Sequence, residues 1–163
     1  MIRFFKEIFT FIRLLFTKID KSDLDLEPWG IKYILSSGYK YMCWCGKVLY
    51  HEDKPEEGNL NDEDRNHETI HLVQAFDKGS WIKYYWSYLI EWLKGGIFTK
   101  KGYCTNKNEV EAYAKEGDLD YLSRRPKDNV EKFKLEDRSS IWKECGKSSY
   151  RFKQYIKEKY KDI

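Results

Sequence analysis

Two histidines one helical turn apart frame the segment His67-Glu68-Thr69-Ile70-His71, and these five residues constrain the chain more than any others. On a helix, positions i and i+4 share a face, so both imidazoles can turn toward a single cation. Glu68 is rotated about 100° from His67, which sets a carboxylate beside that cation without obliging it to coordinate. A base so placed can take a proton from activated water, the arrangement that metal-assisted hydrolysis needs. The same helix must be half-buried. Ile70, Val73 and Phe76 recur at helical spacing, with Leu72 and Ala75 beside them. Histidines on such a helix need polar partners, whereas a solvated surface helix would not carry that apolar stripe.

At 163 residues the chain can bury one core without disulfide staples, and it reads as a single domain over residues 1–163. The expected class is α+β, predominantly α-helical, with a short β-hairpin or small sheet preceding the motif helix. Residues 1–19 predict an amphipathic N-terminal helix. Its polar residues Arg3, Lys6, Glu7, Thr10, Arg13 and Thr17 fall at helical spacing against a wide apolar face. That face either packs on the core, the expectation for most amphipathic helices, or lies in a membrane interface. Arg13 interrupts the apolar run and no small-residue cleavage site follows, so the segment reads neither as a signal peptide nor as a bilayer span. A cytoplasmic chain is expected, with peripheral membrane contact through this helix as the alternative.

Beyond a polar connector at 20–25, Pro28-Trp29-Gly30 predicts a turn and residues 31–35 and 40–50 predict strands, the second broken near Gly46. An acidic loop at 52–64 leads to the motif helix, with Asn61 or Asp62 as N-cap. Residues 81–94 predict a helix with a narrow polar stripe of Lys83, Ser87, Glu91 and Lys94, ended by Gly95-Gly96. A helix so nearly apolar all round is buried or touches lipid. A loop through Cys104 and Asn106 precedes a helix over 107–123 that stops before Pro126. The charged, helical part at 126–163 predicts a short helix near 141–145 and a last one over Ser149–Lys159. Tyr150, Ile156 and Tyr160 would make the contact face of that last helix, flanked by Phe152 and Tyr155.

The net charge of +3 arises from interspersed lysines, arginines and acids, so no nucleic-acid footprint is expected. Cys43-Trp44-Cys45 would put two thiols on one side of a strand, able in principle to share a second metal. Buried free thiols are the simpler reading for these two and for Cys104 and Cys145, and no disulfide framework is expected.

Two histidines leave a catalytic cation one protein ligand short, with a further position open for water. His51, before the acidic loop, is a weak candidate. Asp77 is discounted: Gln74 lets the helix continue, which puts residue 77 about 240° around from His71. The segment Asn108-Glu109-Val110-Glu111-Ala112-Tyr113 offers two carboxylates. Each also has a plain structural reading, since Asn106-x-x-Glu109 and Asn108-x-x-Glu111 both resemble helix capping boxes.

With that segment the chain resembles the small bacterial gluzincins, zincins whose third ligand is a glutamate on a downstream helix. His67, Glu68, His71 and Gln74 match H-E-x-x-H-x-x-Q, and Glu109, Glu111, Ala112 and Tyr113 match a following E-x-E-A-[DY] helix. The resemblance covers roughly residues 40–125, the expected metal-site core. It implies a zincin-like domain with Zn2+ held by His67, His71 and Glu109, the last aligned through Ala112 on the related E-x-x-A-D pattern. It further implies a zinc metallopeptidase acting on a peptide or protein substrate, with Glu68 as the base. The family's aspartate four residues after the ligand is Tyr113 here. Its hydroxyl would take over support of a metal-bound imidazole, as a weaker orienter. Tyr113, Tyr121, Arg124, His51 and, equally, a loop tyrosine are the candidates for a donor to the developing oxyanion. The strand near residues 41–50 would offer an edge to an extended peptide. Two other readings remain: a zincin-fold metal-binding interaction module without turnover, and a membrane-surface protein working through helices 1–19 and 81–94.

Overall fold

The computed structural model describes residues 2–35 and 39–163, and shows a mostly helical α+β chain with one small mixed sheet. Helix α1 (Ile2–Leu14) lays Phe11 and Leu14 toward the sheet and buries Glu7. That carboxylate accepts from the Lys32 and Tyr33 amides at 3.2 and 3.1 Å. After a 3-10 turn at Lys21–Asp25 come strands β1 (Glu27–Ile31), β2 (Tyr41–Trp44) and β3 (Lys47–His51). β3 is central, parallel to β1 and antiparallel to β2. The hairpin between β2 and β3 turns at Cys45 and Gly46, with φ of 47° and 76°. A two-residue hairpin of this kind requires left-handed backbone at both positions, which glycine adopts freely.

β1 begins at Glu27, earlier than the pattern predicts, and runs through the Pro28-Trp29-Gly30 expected to turn. Pro28 is tolerated because β1 is an edge strand, where a missing N–H need not break the ladder. Ile34 and Leu35 pack with Phe11 instead of forming a strand. Residues 36–38, in the middle of the predicted strand region, lie outside the described residues.

Helix α2 (Asp62–Lys78) starts at Asn61, whose side chain accepts from the Asp64 amide at 2.8 Å, and ends at Gly79 in left-handed conformation. Helix α3 (Trp81–Gly95) buries Trp81, Tyr84 and Glu91 but leaves Ile82, Trp86, Ile90 and Leu93 exposed, so it is not covered all round. Its end touches α4 (Lys100–Cys104), formed where the sequence predicts a loop. The contact is backbone to backbone: a Cβ on Gly102 would sit 2.0 Å from the Gly96 carbonyl oxygen. This close approach returns the chain so that α5 (Lys107–Lys115) packs against α2.

Helix α5 stops at Lys115 rather than running to 123. Asn66 of α2 donates to the carbonyls of Lys115, Glu116 and Asp118 at 3.0, 2.9 and 3.1 Å, which satisfies the helix end. A separate α6 (Tyr121–Arg124) follows, then a 3-10 turn at Asn129–Phe133, α7 (Arg138–Glu144) and α8 (Ser149–Lys159). Val110, Phe133, Trp142, Phe152 and Ile156 join α5 to α7 and α8, while Leu72, Ala75, Trp81 and Val48 join α2 and α3 to the sheet. On α8 the buried row is Phe152, Ile156 and Tyr160, spaced by four; Tyr150, expected on that face, is exposed. All four cysteines are free.

Candidate metal centre

The helical turn from His67 to His71 brings their Nε2 atoms to 3.2 Å. The packing of α5 on α2 brings in Glu109. Its Oε1 lies 3.3 Å from His71 Nε2 and its Oε2 3.6 Å from His67 Nε2. A tetrahedral cation with ligand distances of about 2.0–2.1 Å holds its donors roughly 3.3 Å apart; here one ligand atom from each of the three residues lies within 4.8 Å of the others, close to that spacing. Glu109 Oε1 accepts from Tyr88 Oη at 2.7 Å, whereas Oε2 is buried without a hydrogen-bond partner. A buried carboxylate oxygen left so is costly, and a cation among these three donors would satisfy it. The residues therefore fit a zinc-like ion.

Both rings are held from behind. Glu116 Oε2 lies 2.9 Å from His67 Nδ1, and Gln74 Oε1 lies 3.0 Å from His71 Nδ1. Gln74 cannot present its nitrogen to His71, because that nitrogen donates to Glu111 Oε2 at 2.8 Å and to the Asn108 carbonyl at 3.1 Å. Nδ1 of each imidazole is thus committed as a donor, so that loss of the Nε2 proton to an incoming cation turns a lone pair inward, the tautomer a metal needs. Glu111 is in turn held by Arg125 Nε and Tyr121 Oη, each at 2.7 Å.

The electrostatics favour positive charge at this point. Burial opposes protonation of His67, but Glu109 and Glu116 outweigh it and hold that imidazole up at about 10. His71 is raised as well, burial again being overcome, chiefly by Glu109. Burial alone would raise Glu109; the two imidazoles instead hold its carboxyl well below the usual range. In the metal-free protein, protons thus supply the charge that a cation would otherwise bring.

The group sits in a cleft of about 1010 Å³ between β2 and α3 that also exposes Glu68, Tyr103, Tyr113 and Lys153. Cys43 of β2 lies against Glu68; burial first, and that carboxylate second, push its thiol well above its ordinary value. Among the described residues β2 pairs with β3 alone, and Tyr41, Met42, Cys43 and Trp44 line the cleft. Cys45 lies in the turn after β2, its amide donating to Tyr85 Oη at 3.1 Å, and among the described residues neither thiol belongs to a group of three metal-capable side chains. Asp77 points away, toward Arg125 at 2.7 Å.

The capping readings resolve differently for the two glutamates. Asn106 does cap α5, accepting from the Asn108 amide at 3.1 Å, but Glu109 turns to the imidazoles and Glu111 to Arg125. Tyr113 does not orient an imidazole through its hydroxyl. Its ring packs on His67 with centroids 5.0 Å apart, and His67 Nδ1 is taken by Glu116. Among the proposed oxyanion donors, Tyr121 bonds Glu111, Arg124 pairs with Asp118, and His51 is outside the cleft; Tyr113 remains in it. Glu116, Tyr88 and Tyr103 escaped the sequence reading. Glu116 was within reach of it, because 109, 113 and 116 follow i, i+4, i+7 and share one helical face. No family model, curated protein or solved structure matches the chain.

Proposed function

We propose that this chain is a zinc-dependent peptidase of zincin-like architecture that hydrolyses peptide or protein substrates. The observation that carries the reading is the His67, His71 and Glu109 triangle, with Glu109 Oε2 orphaned, on the wall of a cleft that also holds Glu68. These three residues would hold the metal. Bound zinc supplies Lewis acidity and brings the pKa of a coordinated water toward ~7. Glu68 receives a proton on the cleft side and returns it to the leaving amine. The open edge of β2 takes an extended peptide by backbone pairing. Tyr103 and Tyr113 are phenols kept protonated, since burial raises both, and either can donate to a developing oxyanion. Glu116 replaces the family's aspartate in orienting His67, which answers the departure at position 113.

Metal analysis of purified protein is expected to give about one zinc per chain, retained in Glu68→Gln and lost in Glu109→Ala. Hydrolysis of quenched peptide libraries should disappear in Glu68→Gln. A zinc-loaded parent with no hydrolysis across such libraries would leave a metal-binding module and overturn the peptidase.

A further inference from the structure

Two helices carry large apolar residues that the fold leaves bare. On α1, Ile2, Phe5, Phe9 and Ile12 recur at i, i+3, i+7 and i+10 and so form one stripe, with Phe9 68% exposed, and Phe16 just beyond the helix is exposed as well. On α3, Ile82, Trp86, Ile90 and Leu93 form another, with Trp86 64% exposed, and the stripe continues into Phe98. The helices are neighbours. Phe11 of α1 and Tyr85 of α3 stack on Trp44, with centroids 4.0 and 4.3 Å away, so that ring is held between them. Leu89 and Phe98 line the cleft, so the α3 stripe runs into its lining at Phe98, and α1 borders the cleft through Trp44, the lining ring on which Phe11 stacks.

The exposed charges on these segments have one sign. Residues 1–19 carry Arg3, Lys6, Arg13 and Lys18 against Glu7, and residues 81–106 carry Lys83, Lys94, Lys100 and Lys101 against Glu91. Both glutamates are buried, so every exposed charge there is positive, although the whole chain has a net charge of only +3. Lys6 and Arg13 border the α1 stripe and meet no acid within ion-pair distance among the described residues. A second copy of the chain would set basic edges against each other, with no exposed acid on either helix to neutralise them. Anionic headgroups supply that missing charge, and phenylalanine with flanking lysine or arginine is the composition of a helix lying at the headgroup boundary. Among the described residues no helix is long and apolar enough to cross a membrane, so these helices would lie on the surface rather than span it.

We propose that α1 and the outer face of α3 dock on an anionic lipid surface, which sets the Phe98 end of the cleft toward that surface. Docking does not depend on hydrolysis, so its test stands apart from the peptidase reading. Vesicles of phosphatidylcholine with phosphatidylglycerol should co-sediment the full-length protein, and added salt should weaken the binding. Phe5→Glu with Phe9→Glu should cut binding at least about tenfold, with zinc content and circular dichroism unchanged. Lys6→Glu with Arg13→Glu, at exposed positions, should remove the preference over pure phosphatidylcholine vesicles. Trp86→Phe should remove part of the blue shift of tryptophan emission on vesicle addition. Absence of binding to the anionic vesicles would overturn the proposal, as would binding unchanged by both double variants. So would a concentration-dependent dimer in lipid-free buffer that Phe5→Glu with Phe9→Glu splits, because a second copy would then cover the face.

Discussion

Helices α1 and α5 have exchanged the places their compositions suggest. Five of the nine side chains of α5 are charged or amide, yet every residue except Ala114 is buried. α1 is rich in phenylalanine and isoleucine, and its one fully buried residue is Glu7. The difference lies in partners. Glu109 has Tyr88 and two imidazoles, Glu111 has Arg125, Tyr121 and Gln74, and Lys107 has Glu131. Burying a charge costs several kcal/mol unless it is paired and hydrogen-bonded, a condition that Glu111 and Lys107 meet, whereas among the described residues Glu109 Oε2 has no hydrogen-bond partner and Lys115 donates only to the Lys161 carbonyl, at 3.3 Å. A polar centre lies inside this molecule, and apolar surface is left outside it.

The comparison breaks hardest at Arg125, whose side chain is 1% exposed beside a fully buried Glu111. Arg125→Ala leaves that carboxylate unpaired and should cost about 3–5 kcal/mol in urea unfolding. Combining Glu111→Gln with Arg125→Met should cost less than the two single changes added together, because each single change strands a partner. A loss below about 1 kcal/mol for Arg125→Ala would mean that α5 is not held by its charges.

A pH series separates the protonated site from the metal-loaded one. The folded pKa of His67 lies at about 10, above its ordinary 6.5. Its contribution is therefore complete below pH 6.5 and is lost as pH rises through about 10. The chelated protein should lose several degrees of melting temperature between pH 7 and pH 10, while the zinc-loaded protein, whose rings are already neutral, should change less (roughly 2–4 °C per kcal/mol at this size). Equal losses in both forms would place the alkaline sensitivity elsewhere.

Glu116→Gln keeps the shape of the side chain but removes its charge from His67 Nδ1. Zinc affinity measured by chelator competition should fall about 10–100-fold, with little change in fold. An unchanged affinity would remove Glu116 from imidazole support. The smallest effect belongs to α1. Phe5→Ser with Phe9→Ser should alter stability in lipid-free buffer by no more than about 0.5 kcal/mol per site. A much larger loss would show the stripe to be covered in solution and would erase the contrast with α5.

The legible part of this molecule was local. Asn61 as N-cap, the extent of α8 and the common face of His67 and His71 follow from cap chemistry and the helical period. Glu109 was reachable only through a family pattern, because nothing in its own neighbourhood distinguishes a ligand from a capping glutamate. Tyr113 was given a hydrogen bond that Glu116 makes, since four residues along a helix and seven are equally good neighbours until the opposing helix chooses between them. The break in α5 came from Asn66, which lies far away in sequence and satisfies its last carbonyls.

Sequence alone determined that two imidazoles share one face of a half-buried helix and that a carboxylate lies beside them, because the α-helical repeat acts over four residues and needs no other part of the chain. Tertiary structure decided which carboxylate completes the triangle, which groups hold the rings from behind, and which apolar faces stay bare. Those outcomes depend on how α2, α3 and α5 pack, and packing is settled by shape and by polar satisfaction across the whole core rather than by any one stretch of residues.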